Sequence, residues 1–194
     1  MCGRYYVNEE AWAKMRMDFP DLTDANPFMR TGDLTPAMSA VSLVGGEQKP
    51  VEVSLMTWGF KGFDGKSLII NARAESILQK PTFADSVRQR RCVLPASGFY
   101  EWDRKKEKVT FTLPGEPLIY LAGIYRPYGD EKRFVIITRE ANESMAGVHE
   151  RMPLMIAPED VRDWIARPER AEELLRQPLP ELRAERDYEQ LKWF

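Results

Sequence analysis

The chain of 194 residues has few of the side chains from which metal sites are built. It contains two cysteines, Cys2 and Cys92, and a single histidine, His149. A structural zinc site needs about four such ligands in close spacing, so the sequence excludes one. We expect a protein that binds no metal and needs no cofactor.

Long apolar runs are also absent. No segment approaches the roughly 20 apolar residues that span a bilayer, and charged side chains begin within the first ten positions, which argues against a targeting segment. We therefore expect a cytoplasmic protein with reduced thiols and no membrane association.

The chain lacks an excess of charge of either sign. Lysine and arginine total 28, aspartate and glutamate total 30, and the net charge is -2, which excludes a general basic coat for nucleic acid. Positions 61 to 110 nevertheless carry 11 basic against 6 acidic residues. This basic block is either a solvated hairpin tip and helix face or a groove for a polyanion. Its basic members include Arg73, Lys80, Arg88, Arg90, Arg91, Arg104, Lys105, Lys106 and Lys108.

The pattern of apolar residues predicts one α+β domain over residues 1–194, with many short, mainly antiparallel strands and helices packed outside them. Asn8 is a plausible N-cap for a helix whose Trp12, Met15 and Phe19 recur at helical spacing. The tail over residues 157–194 is predicted to be helical. We expect the protein to be a monomer. Strands are predicted at 2–7, 38–44, 51–58, 68–71, 92–95, 99–102, 109–113, 118–125, 134–138 and 153–156.

The start Met1-Cys2-Gly3 is the kind of sequence from which the initiator methionine is removed. Removal leaves Cys2 with a free α-amine and a thiol on adjacent carbons, and both groups titrate near neutral pH. The amine can form an imine with an aldehyde, and the thiol can then close a five-membered thiazolidine ring. The alternative reading of Cys2 is a small buried thiol.

Three further segments contain side chains suited to chemistry, and each also has a structural reading. His149 exchanges protons near neutrality, although a lone histidine is usually structural. Asn71 and Arg73 end an apolar strand and can project into a cleft; alternatively, Asn71 forms a turn and Arg73 pairs with Glu75 at the surface. Glu101 lies among aromatic residues, where a carboxylate can act as an acid or base or simply pair with an arginine.

Taken together, these segments resemble the SOS-response-associated peptidase (SRAP) family over about residues 1–156. The resemblance implies a single SRAP-type domain with an antiparallel, barrel-like sheet, peripheral helices and a positively charged cleft. It also implies covalent capture of abasic sites in single-stranded DNA through the N-terminal cysteine. The segments that carry it are 1–5 (MCGRY), 58–60 (WGF), 71–75 (NARAE), 91–96 (RCVLPA), 98–102 (GFYEW) and 149–153 (HERMP).

The resemblance assigns roles to four residues. Cys2 bonds to the abasic sugar as a thiazolidine, Asn71 orients the adduct, and Glu101 and His149 divide the proton transfers in a way that the sequence leaves open. The link protects the lesion in the DNA damage response and is reversible.

Six residues are predicted to contact DNA. Arg4 and Arg73 are candidate phosphate ligands because a guanidinium matches phosphate oxygens, and Arg91 of the basic block is a third. Three aromatic side chains, those of Trp58, Phe60 and Trp102, are predicted to stack on bases. For Trp58 and Phe60 the alternative is packing in the core.

Two segments depart from the family pattern. Residues 30–36 (RTGDLTP) stand where the family has an Asn-x-Ala-Pro segment, and the tail after about Pro180 ends in 191–194 (LKWF) without a clear counterpart to the family's final strand region.

Three other functions stay open from the sequence. A thiol peptidase that removes Met1 would use the same four residues. An amidohydrolase with an N-terminal cysteine also begins Met-Cys-Gly, although its substrate-binding motifs are not evident. The third is a single-stranded DNA-binding module with an inert Cys2.

Overall fold

The computed structural model describes residues 2–22, 29–46 and 49–186. The strands of this part are, in chain order, β1 (Tyr5–Val7), β2 (Gly32–Leu34), β3 (Ser39–Val44), β4 (Glu52–Trp58), β5 (Phe60–Lys61), β6 (Leu68–Ile69), β7 (Asn71–Arg73), β8 (Arg91–Ala96), β9 (Gly98–Trp102), β10 (Lys108–Thr112), β11 (Ile119–Tyr128), β12 (Glu131–Glu140), β13 (Arg151–Pro153), β14 (Met155–Ile156) and β15 (Arg183–Arg186). The helices are α1 (Glu9–Asp18), α2 (Pro81–Gln89), α3 (Glu143–Ala146), α4 (Val161–Ala166) and α5 (Pro168–Arg176), with 3-10 turns at Ala74–Ser76 and Pro158–Asp160.

Five strands close into a barrel in the order β12-β4-β3-β8-β11, because β11 also pairs with β12. The pairings are antiparallel except for β12 with β4, which is parallel. All six residues of β8 and the first six of β11 are buried. These strands therefore carry continuous apolar runs instead of the alternation of a half-exposed strand.

A second sheet runs beside the barrel in the order β15-β10-β9-β1-β2. Its central strand β9 alternates, with Phe99 and Glu101 buried and Trp102 exposed, as expected for a sheet with one solvent face. At the start of β9, a side chain on Gly98 would approach the carbonyl oxygen of Phe111 to 2.5 Å. Only glycine allows β9 and β10 to come this close there.

Helix α1 begins as the sequence predicts. The side chain of Asn8 accepts a hydrogen bond from the backbone N–H of Ala11 at 3.0 Å, which satisfies one of the free donors of the first turn. Trp12, Met15 and Phe19 are buried and face the core. The predicted N-cap and core stripe are confirmed.

The tail differs from the prediction. Helices α4 and α5 occupy its first half, but residues 183–186 form strand β15, which pairs with β10 at the sheet edge. The helical prediction is wrong there, because all four side chains are exposed and leave no apolar periodicity to detect. The segment 191–194, singled out in the sequence, lies outside the described residues.

The α+β class and the antiparallel, barrel-like sheet with peripheral helices are confirmed. In the described part of the chain, no helix has both the length and the apolar composition needed to cross a bilayer.

Candidate functional site

Two residues separate Cys2 from the start of β1, and Glu101 lies on β9, the strand that pairs with β1. The β1–β9 register pairs Tyr5 with Phe99, and the backbone N–H of Tyr100 donates to the carbonyl of Arg4 at 3.0 Å. Extending this register by two residues from the Tyr5–Phe99 pair places Gly3 opposite Glu101. Cys2 is the next residue, and the charge of Glu101 acts on its thiol. Both Cys2 and Glu101 are buried.

Burial and, to a smaller extent, the negative charge of Glu101 raise the pKa of the Cys2 thiol to about 12. The thiol is consequently neutral at pH 7 in the chain that retains Met1. The expectation that the Cys2 thiol titrates near neutral pH concerns the chain without Met1 and stays a prediction. A reaction of Cys2 in this environment needs a neighbouring group that accepts the thiol proton.

The solvent side of the same strands carries charge and an aromatic ring. The Arg4 guanidinium lies 5.6 Å from the centroid of the Trp102 ring, which is 40% exposed. Arg4 also lies 3.7 Å from a carboxylate oxygen of Asp33 on β2, and the Tyr100 hydroxyl donates to that carboxylate at 3.2 Å. The atypical 30–36 segment thus contributes an acidic group next to a predicted phosphate ligand.

A second group of predicted residues lies on β12 and its two neighbours. Beyond the barrel, β12 pairs with β7 on one edge and with β13 on the other. Paired residues present their side chains on the same face of a sheet. The registers Ile136 with Asn71, Thr138 with Arg73 and Glu140 with Arg151 therefore place Asn71, Arg73, Thr138 and Arg151 on one face.

This face contains buried polar atoms without hydrogen-bond partners among the described residues. They are both side-chain atoms of the Asn71 amide, the Thr138 hydroxyl and Nε of Arg151. Buried polar groups are almost always paired, so this set indicates a place where a polar ligand belongs. Arg73 is exposed beside it.

His149 is held by the backbone of Arg151. The Arg151 N–H donates to Nδ1 of the imidazole at 2.9 Å, so a neutral ring carries its proton on Nε2. A protonated ring can instead donate from Nδ1 to the Arg151 carbonyl, 3.2 Å away. The same residue thus offers a partner to either protonation state, which suits an acid or base.

Aromatic packing links the two groups of site residues. The ring of Tyr5 on β1 lies 5.4 Å from that of Trp58, and the Trp58 indole N–H donates to the carbonyl of Ile70, next to Asn71, at 2.9 Å. Trp58 and Phe60 are fully buried, so the stacking prediction is wrong for both. They belong to the core, and Trp58 orients the backbone before Asn71.

Arg91 is likewise buried, and its prediction as a DNA contact is wrong. Its guanidinium donates to carbonyls at the C-terminal ends of α2 and α4, where helices leave acceptors unpaired. The acceptors are the carbonyls of Val87, Arg88, Trp164 and Ile165.

Sequence reasoning did not single out Thr138, Arg151 or Phe63. Arg151 lies within 149–153, a segment that carries the resemblance, whereas Thr138 is brought to the site by its pairing with Arg73. Phe63, at the turn between β5 and β6, is 99% exposed. The turn is fixed because Asp64 accepts backbone hydrogen bonds from Lys66 and Ser67. A single exposed aromatic residue within a Gly-rich turn was the only signal for Phe63.

Other candidate sites are few in the described part of the chain. It contains no cluster of three or more His, Cys, Asp or Glu side chains able to hold a metal ion. A cavity of about 520 Å³ opens between α1, the start of β11 and residues 178–180, but no predicted site residue lines it.

Comparison with known proteins places these observations in a family. A family model described as SOS response associated peptidase (SRAP) matches residues 1–192. The abasic site processing protein YoaM of Bacillus subtilis is 36% identical over 106 residues, covering 50% of this chain and 47% of that protein. The chain therefore spans about half the length of the Bacillus relatives it matches. The abasic site processing protein YedK of Escherichia coli is 28% identical over 85% of this chain and 79% of its own length.

Solved structures agree in fold. A Bacteroides thetaiotaomicron protein superposes with a TM-score of 0.80 at 21% identity, covering 95% of this chain and 91% of that one. A Bordetella bronchiseptica protein gives 0.78 at 19% identity, covering 95% and 99%. Because the family model matches this chain over residues 1–192, the chain belongs to the SOS response associated peptidase (SRAP) family.

Proposed function

We propose that this protein processes abasic sites in DNA by capturing them in single strands through Cys2. The observation that carries the proposal is the set of unpartnered polar atoms on Asn71, Thr138 and Arg151, beside the exposed Arg73. An abasic nucleotide supplies sugar and phosphate oxygens for such groups and has no base to accommodate. Family membership and the names of the relatives support the same substrate.

The chemistry begins with removal of Met1, which frees the α-amine of Cys2. The amine adds to the C1′ aldehyde of the ring-opened sugar, and the carbinolamine loses water to give an imine. The Cys2 S–H then adds across the C=N bond, the sulfur bonding to carbon and the proton passing to nitrogen. The net reaction joins aldehyde and aminothiol in a thiazolidine and releases one water.

Two neighbouring residues carry the protons. The Cys2 thiol is buried, so a base must carry its proton to the imine nitrogen as the sulfur attacks, and we assign this role to Glu101, whose charge acts on the thiol. His149 can deliver a proton to the departing carbinolamine oxygen and return it when the ring reopens. Asn71 binds the sugar oxygen without titrating. Removing the imine by ring closure prevents strand cleavage by β-elimination.

The surrounding surface suits a single strand. We assign phosphate binding to Arg4 and Arg73, and base stacking to Trp102 and Phe63, whose exposed rings can stack on flanking bases without sequence preference. We further propose that the protein works as a monomer in the cytoplasm, where its two free thiols stay reduced.

The test mixes the protein, shown by intact mass to begin at Cys2, with single-stranded DNA carrying one abasic site. We expect an adduct that survives denaturation, with the summed mass less one water. Cys2→Ser and Cys2→Ala both keep the α-amine once Met1 is removed, so each should give only an imine that borohydride traps and no stable adduct without reductant. Intact single-stranded DNA of the same sequence is the substrate control.

Three results would contradict the capture proposal. No adduct from the verified wild type would exclude covalent capture. DNA binding that is the same in Cys2→Ala and wild type, without an adduct in either, would leave a binding module. Hydrolysis of glutamine or a peptide in place of any reaction with DNA would favour an amidohydrolase or a peptidase.

A further inference from the structure

An ion pair joins two segments that flank β12. Glu75, in the 3-10 turn after β7, accepts hydrogen bonds from Nη1 and Nη2 of Arg151 on β13, each at 2.8 Å. The same carboxylate accepts the backbone N–H of Glu140, the last residue of β12, at 3.1 Å. Glu75, which follows β7, therefore contacts both β12 and β13, and these three strands carry Asn71, Arg73, Thr138 and Arg151.

Arg151 transmits this contact to the site in two ways. Its Nη2 also donates to the carbonyl of Thr138 at 2.7 Å, so both terminal nitrogens are occupied and Nε is the unpartnered donor. Its backbone N–H holds the imidazole of His149. The orientation of the guanidinium and that of the histidine ring thus depend on one residue.

This pair differs from an ordinary surface ion pair, which contributes little. The Arg151 side chain is only 11% exposed, and the contact is bidentate, a geometry that fixes the guanidinium plane. The Arg151 hydrogen bond also contributes most to lowering the pKa of Glu75, to about 2, so the carboxylate stays charged at neutral pH.

We propose that Glu75 is a positioning residue for the capture reaction. It holds Arg151 so that Nε faces the bound sugar-phosphate and the backbone N–H orients His149. It also keeps β7, which carries Asn71, in register with β12 and β13. The proposal rests on the proposed function and adds to it a residue that touches neither the DNA nor the reacting atoms.

The first experiment compares Glu75→Gln with wild type in single-turnover adduct formation. We expect the rate of adduct formation at saturating abasic DNA to fall about 10-fold or more, because a misplaced catalytic group lowers a rate by up to about 100-fold. The DNA concentration that gives half of the maximal rate should change less than 3-fold. Glu75→Asp should recover part of the rate. The matched control is Glu173→Gln, which breaks the exposed Arg170–Glu173 pair on α5 and should react like wild type.

A second experiment separates positioning from stabilisation. Reversing the pair with Glu75→Arg and Arg151→Glu keeps the opposite charges but removes the Nε donor from position 151. We expect thermal stability to recover relative to either single variant and the adduct rate to stay low. If the reversed pair restores both stability and rate, the role of Glu75 is structural and the proposal is wrong.

A third measurement does not depend on activity. The chain has one histidine, so imidazole ¹⁵N shifts report His149 alone. In wild type we expect the Nε2–H form for the neutral ring, and in Glu75→Gln a shift toward mixed tautomers, with Glu173→Gln unchanged.

The outcomes distinguish the two proposals. If wild type forms no adduct, the proposed function fails, while the ¹⁵N shifts still test the link from Glu75 to His149. If wild type and Glu75→Gln form adduct at equal rates with identical ¹⁵N shifts, capture stands and the role of Glu75 is refuted.

Discussion

Arg91 and Arg151 each lie in a segment that carries the family resemblance, but their surroundings in the fold differ. The Arg91 region is closed, since each guanidinium nitrogen of this residue donates to a helix-end carbonyl. The Arg151 region is open, since its Nε and the nearby Asn71 amide are buried without partners among the described residues. Completed hydrogen bonding identifies Arg91 as a structural arginine, whereas the cluster of unpartnered polar atoms around Arg151 supports the proposed ligand site.

The sharpest way to break this comparison is to truncate each arginine. Arg91→Ala should lower the free energy of unfolding by about 3 to 5 kcal/mol, because it leaves several buried carbonyls unpaired. Arg151→Ala should lower it by only about 1 to 2 kcal/mol but slow adduct formation about 10- to 100-fold. Urea denaturation and single-turnover kinetics on folded protein measure the two effects.

The reverse pattern would overturn the assignment. A folded Arg91→Ala protein that cannot form adduct would return Arg91 to the DNA-binding surface, against its burial.

The two tryptophans Trp58 and Trp102 give a smaller, parallel contrast. Trp102→Ala should weaken binding to single-stranded DNA by about 1 to 3 kcal/mol through lost stacking and leave the unfolding midpoint nearly unchanged. Trp58→Phe should leave DNA affinity unchanged and destabilise the protein, since the Ile70 carbonyl loses one of its two donors. Fluorescence anisotropy with a labelled oligonucleotide measures the affinities. Equal affinity losses in the two variants would contradict the division.

The pH dependence of stability tests the Glu75–Arg151 contact itself. The pKa of Glu75 is about 2 in the folded chain against an ordinary value of 4.5. Its stabilisation is therefore complete above about pH 4.5 and declines as the pH falls toward 2. Melting temperatures of wild type and Glu75→Gln should differ at pH 6 and converge near pH 2. A difference that stays constant over this range would exclude ionisation of Glu75 as its source.

The smallest expected effect concerns Asp33. Replacing it by Asn removes a carboxylate from the side of Arg4, which should tighten DNA binding by a few-fold at low salt. The gain should vanish at high salt, because both side chains are well exposed. Affinity measured at two salt concentrations checks this, and weaker binding by Asp33→Asn would show that Asp33 contacts the DNA.

Local rules explain which parts of the fold the sequence predicts. The Asn8 cap and the alternation along β9 depend on neighbouring residues, and the structure has both. Strand β15 depends on its partner β10, because its four exposed side chains carry no pattern. Pairing across more than 70 residues leaves no trace in either segment alone.

The candidate site divides in the same way. Residue type singles out Cys2 and His149, because only these side chains supply an N-terminal thiol and a neutral-pH proton carrier. For the remaining candidates, solvent exposure in the fold decides. Trp58 and Phe60 are buried and so are not DNA contacts, although their positions in the sequence are equally compatible with the core and with the surface. The Glu75–Arg151 pair was beyond reach because it spans 76 positions.

The ten-residue strand β12 is longer than closure of the barrel requires. Residues 131–136 close the barrel with β11, whereas 138–140 contact β13 beyond it. Local opening of this overhang breaks no barrel-closing pair, so amide hydrogens at 138–140 and 151–153 should exchange faster than those at 131–136. The overhang can therefore open locally while the closed barrel keeps its own strand pairs intact.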